Sequence, residues 1–447
     1  MIDFLLKKFE ESSDSVFIVW KNREYDYSWL IRHINEYKEI FKDKIKEGSV
    51  TALEGDFTPV TISLFLAFTE LNYIIVPRII YSNKDKKKLY KIAEVEYEVT
   101  VNSDDDFTVN STGYKAEHKF YQTIRERGHP GLVLFTSGTS GEPKAAVHDF
   151  SKLLDKFRIP RQSLKTINFL LFDHWGGLNT MLHSLSNTST VIALTDRSPD
   201  SVCKIIEEQK IEILPASPTF LNLMIFSEAY KHYDLSSLKI ISYGTEPMPE
   251  SLLKKLNKVF PEVKIQQTYG LIELGVLRAK SKSNDSLWVK IGGEGFQTRV
   301  VDGILQIKAE SAMLGYLNAP SPFTEDGWFN TGDAVEVDGE YYKILGRKSE
   351  LINVGGEKVY PAEVESVIRE IQEVSDVTVY GEKNPITGNI VCAKVNLKNI
   401  ETDEKKIISL IKKYCRERMK SYMVPVKVFV VKEPLHGERF KKVRSER

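Results

Sequence analysis

The sequence predicts an α/β protein with a large N-terminal domain, a small β-rich subdomain and a small, mobile α+β C-terminal domain. Three observations lead there. Up to about residue 320, apolar β-branched runs alternate with amphipathic stretches, and the runs lack inside/outside alternation. That is the pattern of central strands covered on both faces, hence mainly parallel sheets under helices. The tract Ser286–Glu310 instead reads as short strands joined by Gly-containing turns. Beyond Gly346–Gly356 a third pattern begins, of turn, helix, strand, helix and strand.

A chain of 447 residues exceeds the roughly 250–300 at which a single core stops growing, so at least two domains are expected. The boundary falls at 347/348, giving domains 1–347 and 348–447 with a short hinge near Ser349. In order along the chain, Val60–Pro77 is a buried helix running into a core strand, since Thr, Ser, Glu and Asn interrupt it too often for a membrane span. The runs GLVLFTS, NFLLFDH, STVIALT, IEILPASP and LKIISYG are the strands, and SVCKIIEEQK is a helix between two of them. Pro361 suits a helix start. ETDEKKIISLIKKYCRERM is an amphipathic helix and VPVKVFVV a strand.

The 62 basic residues balance 62 acidic ones, so no global field draws nucleic acid or an anionic membrane, and any anion must be held by local groups. Cys203, Cys392 and Cys415 are far apart and form no CxxC, which argues against a disulfide framework or zinc site and for a reducing cytoplasm. The N-terminus lacks an apolar run long enough for a signal peptide.

Chemistry concentrates first in Leu132–Asp149. An apolar run empties into Thr136, Ser137, Gly138, Thr139, Ser140 and Gly141, then Lys144. The two glycines allow close backbone approach to a phosphate, the hydroxyls donate, and the lysine adds a point charge. The spacing differs from the Walker loop.

TSGTSGEPK resembles the signature loop of the adenylate-forming superfamily, which comprises acyl- and aryl-CoA synthetases, nonribosomal adenylation domains and luciferases. The pattern is nearest the acyl- or aryl-CoA synthetases. Later motifs follow in that family's order from about Leu132 to the C-terminus, whereas the first hundred residues match only in pattern and look abbreviated. The resemblance implies an AMP- and acyl-binding N-terminal domain, a mobile C-terminal domain and a site between them. It implies that a carboxylic acid and ATP give acyl-AMP and pyrophosphate. A thiol, of coenzyme A or of the phosphopantetheine on an acyl or peptidyl carrier protein, then takes the acyl group.

Carried over residue by residue, ISYGTEPMPE implicates Gly244, Thr245, Glu246 and Pro247 at the adenine. QTYGLIELG places Tyr269 and Gly270 beside it, with Glu273 as the Mg²⁺ ligand and a catalytic residue; Ile272 stands where the family has Thr. Asp333 and Arg347 reach the ribose hydroxyls. Ser349 maps to the hinge, and Gly355 and Gly356 to the thiol tunnel. Lys144 and a C-terminal lysine are catalytic. Counting from YMVP gives Lys441, with Arg444 as the motif's Arg and Phe440 replacing its Gly; Lys442 is the alternative. His174 is the acyl-pocket residue, with Trp175, Gly176 and Gly177 shaping the cavity. Asp173 is one position off for binding an amino group, which favours a non-amino acid. Two other functions stay open: an amino-acid adenylating enzyme that loads a carrier protein, and a catalytically silent nucleotide- or acyl-binding homologue.

Overall fold

The computed structural model describes residues 1–79, 83–136, 142–399, 403–437, 441, 442 and 444. Four sheets organise it. The first runs Lys264–Gln267, Ile240–Tyr243, Ile213–Ala216, Thr166–Asn168, Val191–Ala193, Val16–Trp20 and Arg23–Asp26. Its neighbours are parallel except for the last hairpin. In the second, Gly131–Thr136, Ile74–Arg78, Val50–Glu54 and Tyr97–Val101 are parallel, and antiparallel strands flank them at both edges. The third sheet, from Tyr269–Leu271 to Tyr341–Arg347, is wholly antiparallel. It is larger than the β-rich tract read from Ser286–Glu310.

The buried run near residue 60 forms as its composition dictates. Thr58 caps the helix Pro59–Glu70 by accepting from the Thr61 N–H, proline occupies the first turn, and ten of the next eleven residues after Pro59, Val60 to Thr69, are buried. The strand Ile74–Arg78 follows, buried throughout. This helix packs with Tyr27–Phe41 and Trp175–Ser186 in one large core; a second core lies under the first sheet.

The fourth sheet contains Ile352–Val354, Glu357–Val359, Val374–Asn384, Gly388–Leu397 and Lys427–Val430, with helices Pro361–Ile368 and Glu404–Arg418 packed on it around a separate core. Pro361 opens its helix as expected. This unit touches the rest through Ser251 Oγ, which donates to the Ser366 carbonyl (3.1 Å), and Asn222 Nδ2, which donates to the Ser375 carbonyl (3.2 Å). Among the described residues no helix is long and apolar enough to cross a membrane. All three cysteines are free and buried.

Two sequence readings need correction. NFLLFDH is not a strand beyond Asn168, because the neighbouring strand Val191–Ala193 offers only three residues to pair with, and the chain turns at Leu171 to enter a helix. The strands Ile213–Ala216 and Ile240–Tyr243 are not covered on both faces either. Their burial alternates: Leu214, Ala216, Ile241 and Tyr243 enter the core, while Ile213, Pro215, Ile240 and Ser242 face a cavity. Three of those four cavity residues are apolar, so the alternation is invisible in the sequence.

Candidate active site

A cavity of about 1350 Å³ opens between the sheets and is lined by Thr136, Lys144, Gly244, Thr245, Glu246, Pro247, Tyr269, Gly270, Glu273, Asp333, Arg347 and Lys441. Thr136 and Lys441, 305 positions apart in sequence, thus line one cavity. Ser137, Gly138, Thr139, Ser140 and Gly141 lie outside the described residues, as does Phe440. Their flanks are defined. Gly131–Thr136 pairs antiparallel with Lys144–Asp149, so Thr136 stands opposite Lys144 and both ends of the loop meet at the cavity. Asn318 fixes the exit: its Oδ1 accepts from the Ala145 N–H (3.0 Å) and its Nδ2 donates to the Pro143 carbonyl (2.9 Å).

Beside the loop, the Lys144 ammonium lies 5.5 Å from the centre of the Tyr316 ring. The Tyr316 hydroxyl donates to Glu273 Oε1 at 2.5 Å. Glu273 sits in the turn between Tyr269–Leu271 and Gly275–Ser281, and its carbonyl accepts from the Met313 N–H (2.8 Å). One carboxylate oxygen is therefore oriented by a phenol in a buried turn. Among the described residues no group of three metal-ligating side chains exists. A magnesium ion fits this site in the usual way, through one carboxylate with substrate phosphate oxygens and water completing its shell.

Asp333 and Arg347 are direct cross-strand partners. The Arg347 Nε lies 3.3 Å from Asp333 Oδ1, and the Tyr269 hydroxyl donates to Oδ2 at 2.6 Å. Burial raises the Asp333 carboxyl above the usual range, against the pull of Arg347 and the Tyr269 bond. The sequence resemblance puts Tyr269 at the adenine. Its buried hydroxyl is also the second support of Asp333.

At the strand end after Ile240–Tyr243, Gly244 has no room for a side chain: a Cβ would lie 2.5 Å from Thr268 Oγ1 and 3.1 Å from its carbonyl oxygen. Thr245 takes a left-handed φ of 74°, a strained conformation for a β-branched residue. Glu246 uses both oxygens on backbone amides, Thr219 N at 2.7 Å and Lys442 N at 3.3 Å. It so ties the start of helix Pro218–Ser227 to the C-terminal segment.

That segment is anchored on either side of Lys441. The Lys442 ammonium forms a buried ion pair with Asp376. Burial and the nearby Arg369 push it down to about 8. Arg444 reaches Glu365 (3.0 Å) and Glu350 (3.0 Å). Lys441 lines the cavity and a small adjoining pocket with Leu170, His174 and Thr245. Its neighbour Lys442 lines the cavity as well, with its ammonium held by Asp376.

The other end of the cavity is built by helix Trp175–Ser186 facing the first sheet. His174 caps this helix: its Nδ1 accepts from the Gly176 N–H (3.0 Å), so Nε2 carries the hydrogen of the neutral ring. Leu178, Met181, Leu182 and Leu185 enter the core. Gly176, Asn179, Thr180 and His183, at helical spacing, line the cavity instead. Opposite them stand Ile213, Pro215, Ile240, Ser242 and Gln266. Behind Asn179 lies Lys156, whose ammonium donates to Asn179 Oδ1 (2.5 Å) and to the Val276 carbonyl (2.9 Å). Burial, with Arg161 and Arg278 nearby, lowers Lys156 to about 7. His183 is lowered by burial, and by Lys156 and Arg161.

His174, Trp175 and Gly176 line the cavity; Gly177 does not. A Cβ on Gly177 would lie 2.1 Å from the Leu171 carbonyl oxygen, so this glycine lets the helix lie against the preceding turn. Gly355 and Gly356, with φ of 61° and 94°, form the turn between Ile352–Val354 and Glu357–Val359 and are absent from the lining, so the structure does not bring them to the cavity. Ser349 sits in the short helical turn Lys348–Glu350, right after Arg347. The sequence reading missed Tyr316, Lys156, Asn179, His183, Ser242 and Gln266. Only the period of Gly176, Asn179, Thr180 and His183 could have pointed to some of them.

The AMP-binding enzyme profile matches residues 47–302, more than half the chain, and the AMP-binding enzyme C-terminal domain profile matches 363–441. The chain belongs to the AMP-binding, adenylate-forming enzyme family. It is 31% identical over 294 residues to an indoleacetate–CoA ligase of Aromatoleum aromaticum, covering 60% of this chain and 57% of that one. It is 29% identical over 322 residues to a long-chain-fatty-acid–CoA ligase of Mycobacterium tuberculosis, covering 66% and 63%. The alignments thus span less than two thirds of these relatives' length. Among solved structures it resembles an anthranilate CoA ligase in complex with anthranoyl-AMP, with TM-score 0.82, 19% identity and coverage of 99% and 95%. It also resembles ATP-bound MatB from Rhodopseudomonas palustris, with TM-score 0.78, 19% identity and coverage of 97% and 96%.

Proposed function

We propose that this protein is an AMP-forming acid–thiol ligase. It joins a carboxylic acid to ATP as acyl-AMP, releasing pyrophosphate, and then passes the acyl group to the thiol of coenzyme A or of a carrier protein's phosphopantetheine. The observation that carries the reading is the single cavity shared by Thr136, Lys144, Glu273, Asp333, Arg347 and Lys441.

In this reading Asp333 accepts hydrogen bonds from the ribose hydroxyls while Arg347 orients it, because charge-assisted bonds are the strong ones. Gly244 to Pro247 and Tyr269–Gly270 border the adenine. The loop from Thr136 to Lys144 holds the phosphates. Glu273 would hold Mg²⁺, which offsets phosphate charge when bound. A carboxylate oxygen attacks the α-phosphorus, and the bond to the pyrophosphate oxygen breaks with its electron pair. Lys441 adds positive charge where negative charge gathers. The thiol sulfur then attacks the acyl carbon, its proton is lost, and AMP leaves. The chain divides at 347/348, with Ser349 the hinge on which residues 348–447 turn between the two steps and Gly355 and Gly356 pass the pantetheine arm. A cytoplasmic location accords with three free, buried thiols.

An amino-acid substrate would need an anion for its ammonium. Asp173, the residue the sequence offers, is buried and absent from the cavity lining. Lys441→Ala tests the assignment. Acid-dependent ATP–pyrophosphate exchange should fall by about 10² to 10³, with a smaller effect on thiol transfer from preformed acyl-AMP. Near wild-type exchange would remove Lys441 from the chemistry. Absence of exchange in the wild-type protein with every class of acid would favour a silent nucleotide-binding homologue.

A further inference from the structure

The end of the cavity away from Lys441 carries more polar groups than an alkyl or plain aryl acid would need. Asn179, His183, Ser242 and Gln266 line it, alongside Ile213, Pro215 and Ile240. Lys156 reaches it from behind. An ammonium has three N–H donors; here one goes to Asn179 Oδ1 and one to the Val276 carbonyl. Both acceptors are neutral. Because Asn179 Oδ1 is held by the ammonium, its Nδ2 is the atom left to donate into the cavity. Arg161 on the preceding loop and Arg278 on the strand Gly275–Ser281 add positive potential. Among the described residues no carboxylate pairs with Lys156 or His183.

A methyl-terminated chain pressed against these groups would strip their water and return no hydrogen bond, which costs free energy for each one. A second carboxylate would supply the missing charge and accept from Asn179 Nδ2 and His183. Resting on the proposed adenylation, we infer that the acid activated carries a second carboxylate at its far end, bound by Asn179 and His183 with Lys156 behind them. At about 1.5 Å per helical residue, Asn179 and His183 lie on the order of 7 and 13 Å along the helix from His174. That span fits a medium-length α,ω-dicarboxylic acid.

The test uses the full-length protein with ATP, Mg²⁺ and hydroxylamine to trap the adenylate. Straight-chain dicarboxylic acids are compared with their monomethyl esters and with n-alkanoic acids of equal length. The diacid should exceed its monomethyl ester in kcat/KM by at least about tenfold at the best length. Lys156→Met and Asn179→Leu should each shrink that ratio at least tenfold. Equal or better use of esters or alkanoates would overturn this inference and leave adenylation standing. An unchanged ratio in both variants would overturn the assignment to this cluster. Failure to trap an adenylate from any acid would remove the adenylation reading and this one with it. Should a variant fail to fold, the wild-type diacid-to-ester ratio decides alone.

Discussion

The two ends of the cavity handle charge in opposite ways. At the nucleotide end, Asp333 meets Arg347 and Tyr269, Glu273 meets Tyr316, and Arg444 meets Glu350 and Glu365. At the other end, among the described residues, Lys156 donates to an amide oxygen and a backbone carbonyl and lies 5.1 Å from the centre of the Phe157 ring, with two arginines nearby. A buried charge without a counter-charge is costly. The first end is already organised by its own ion pairs and hydrogen bonds; the second holds positive potential that the proposed diacid would complete. In the proposed reaction the nucleotide is common to every turnover whatever the acid, so its site can be built complete in advance. Specificity belongs where the charge is left unmatched.

This contrast can be broken at the nucleotide end first. Asp333→Ala removes the acceptor of the Tyr269 hydroxyl and the partner of Arg347 together. The KM for ATP should rise by about 10- to 100-fold, and unfolding free energy should fall by about 1–3 kcal/mol as two groups lose their partners. Unchanged ATP kinetics would show that the pair is only structural.

A packing change comes next. Gly177→Ala puts a methyl 2.1 Å from the Leu171 carbonyl oxygen and forces the helix off its turn. The loss should be roughly 1–3 kcal/mol in denaturant melts, with acid KM rising because Gly176, Asn179 and His183 move with the helix. A melt identical to wild type would mean that the turn yields freely.

The smallest effect is in pH dependence. Lys156, lowered to about 7, is charged below that pH and neutral above it. The kcat/KM for a diacid should fall as pH rises through about 7, relative to an alkanoate measured alongside, since that profile reports the free enzyme. The stability sign is opposite. The unfolded lysine keeps its proton up to the ordinary 10.5 while the folded one loses it near 7. The unfolded chain binds more protons in that window, so the folded state gains stability as pH rises across it. Thermal melts of Lys156→Met should lose this slope; an unaltered slope would assign it to another group.

The family, the fold class and the strings from which the site is proposed were legible in the chain. TSGTSGEPK, the Asp333 and Arg347 motifs and the spacing to Lys441 are local strings whose chemistry depends on residue type and order. The helix Pro59–Glu70 and the helix opened by Pro361 followed from caps and apolar runs. The strand Ile213–Ala216 was found but misread, because an apolar residue facing a cavity and one facing a core look the same in the sequence. The two readings diverge only when the opposite wall is known.

The sequence by itself determined the family and the α/β class and named the residues proposed for the nucleotide, since those are encoded as contiguous motifs and short-range periodicity. Tertiary structure alone decided what stands at the acyl end. Lys156 meets a carbonyl 120 residues away and an amide 23 residues away. It also decided how the C-terminal lysines are held: both line the cavity, and the Lys442 ammonium is engaged by Asp376, a pairing 66 residues apart. Such meetings depend on how sheets and helices stack, and no local pattern records them.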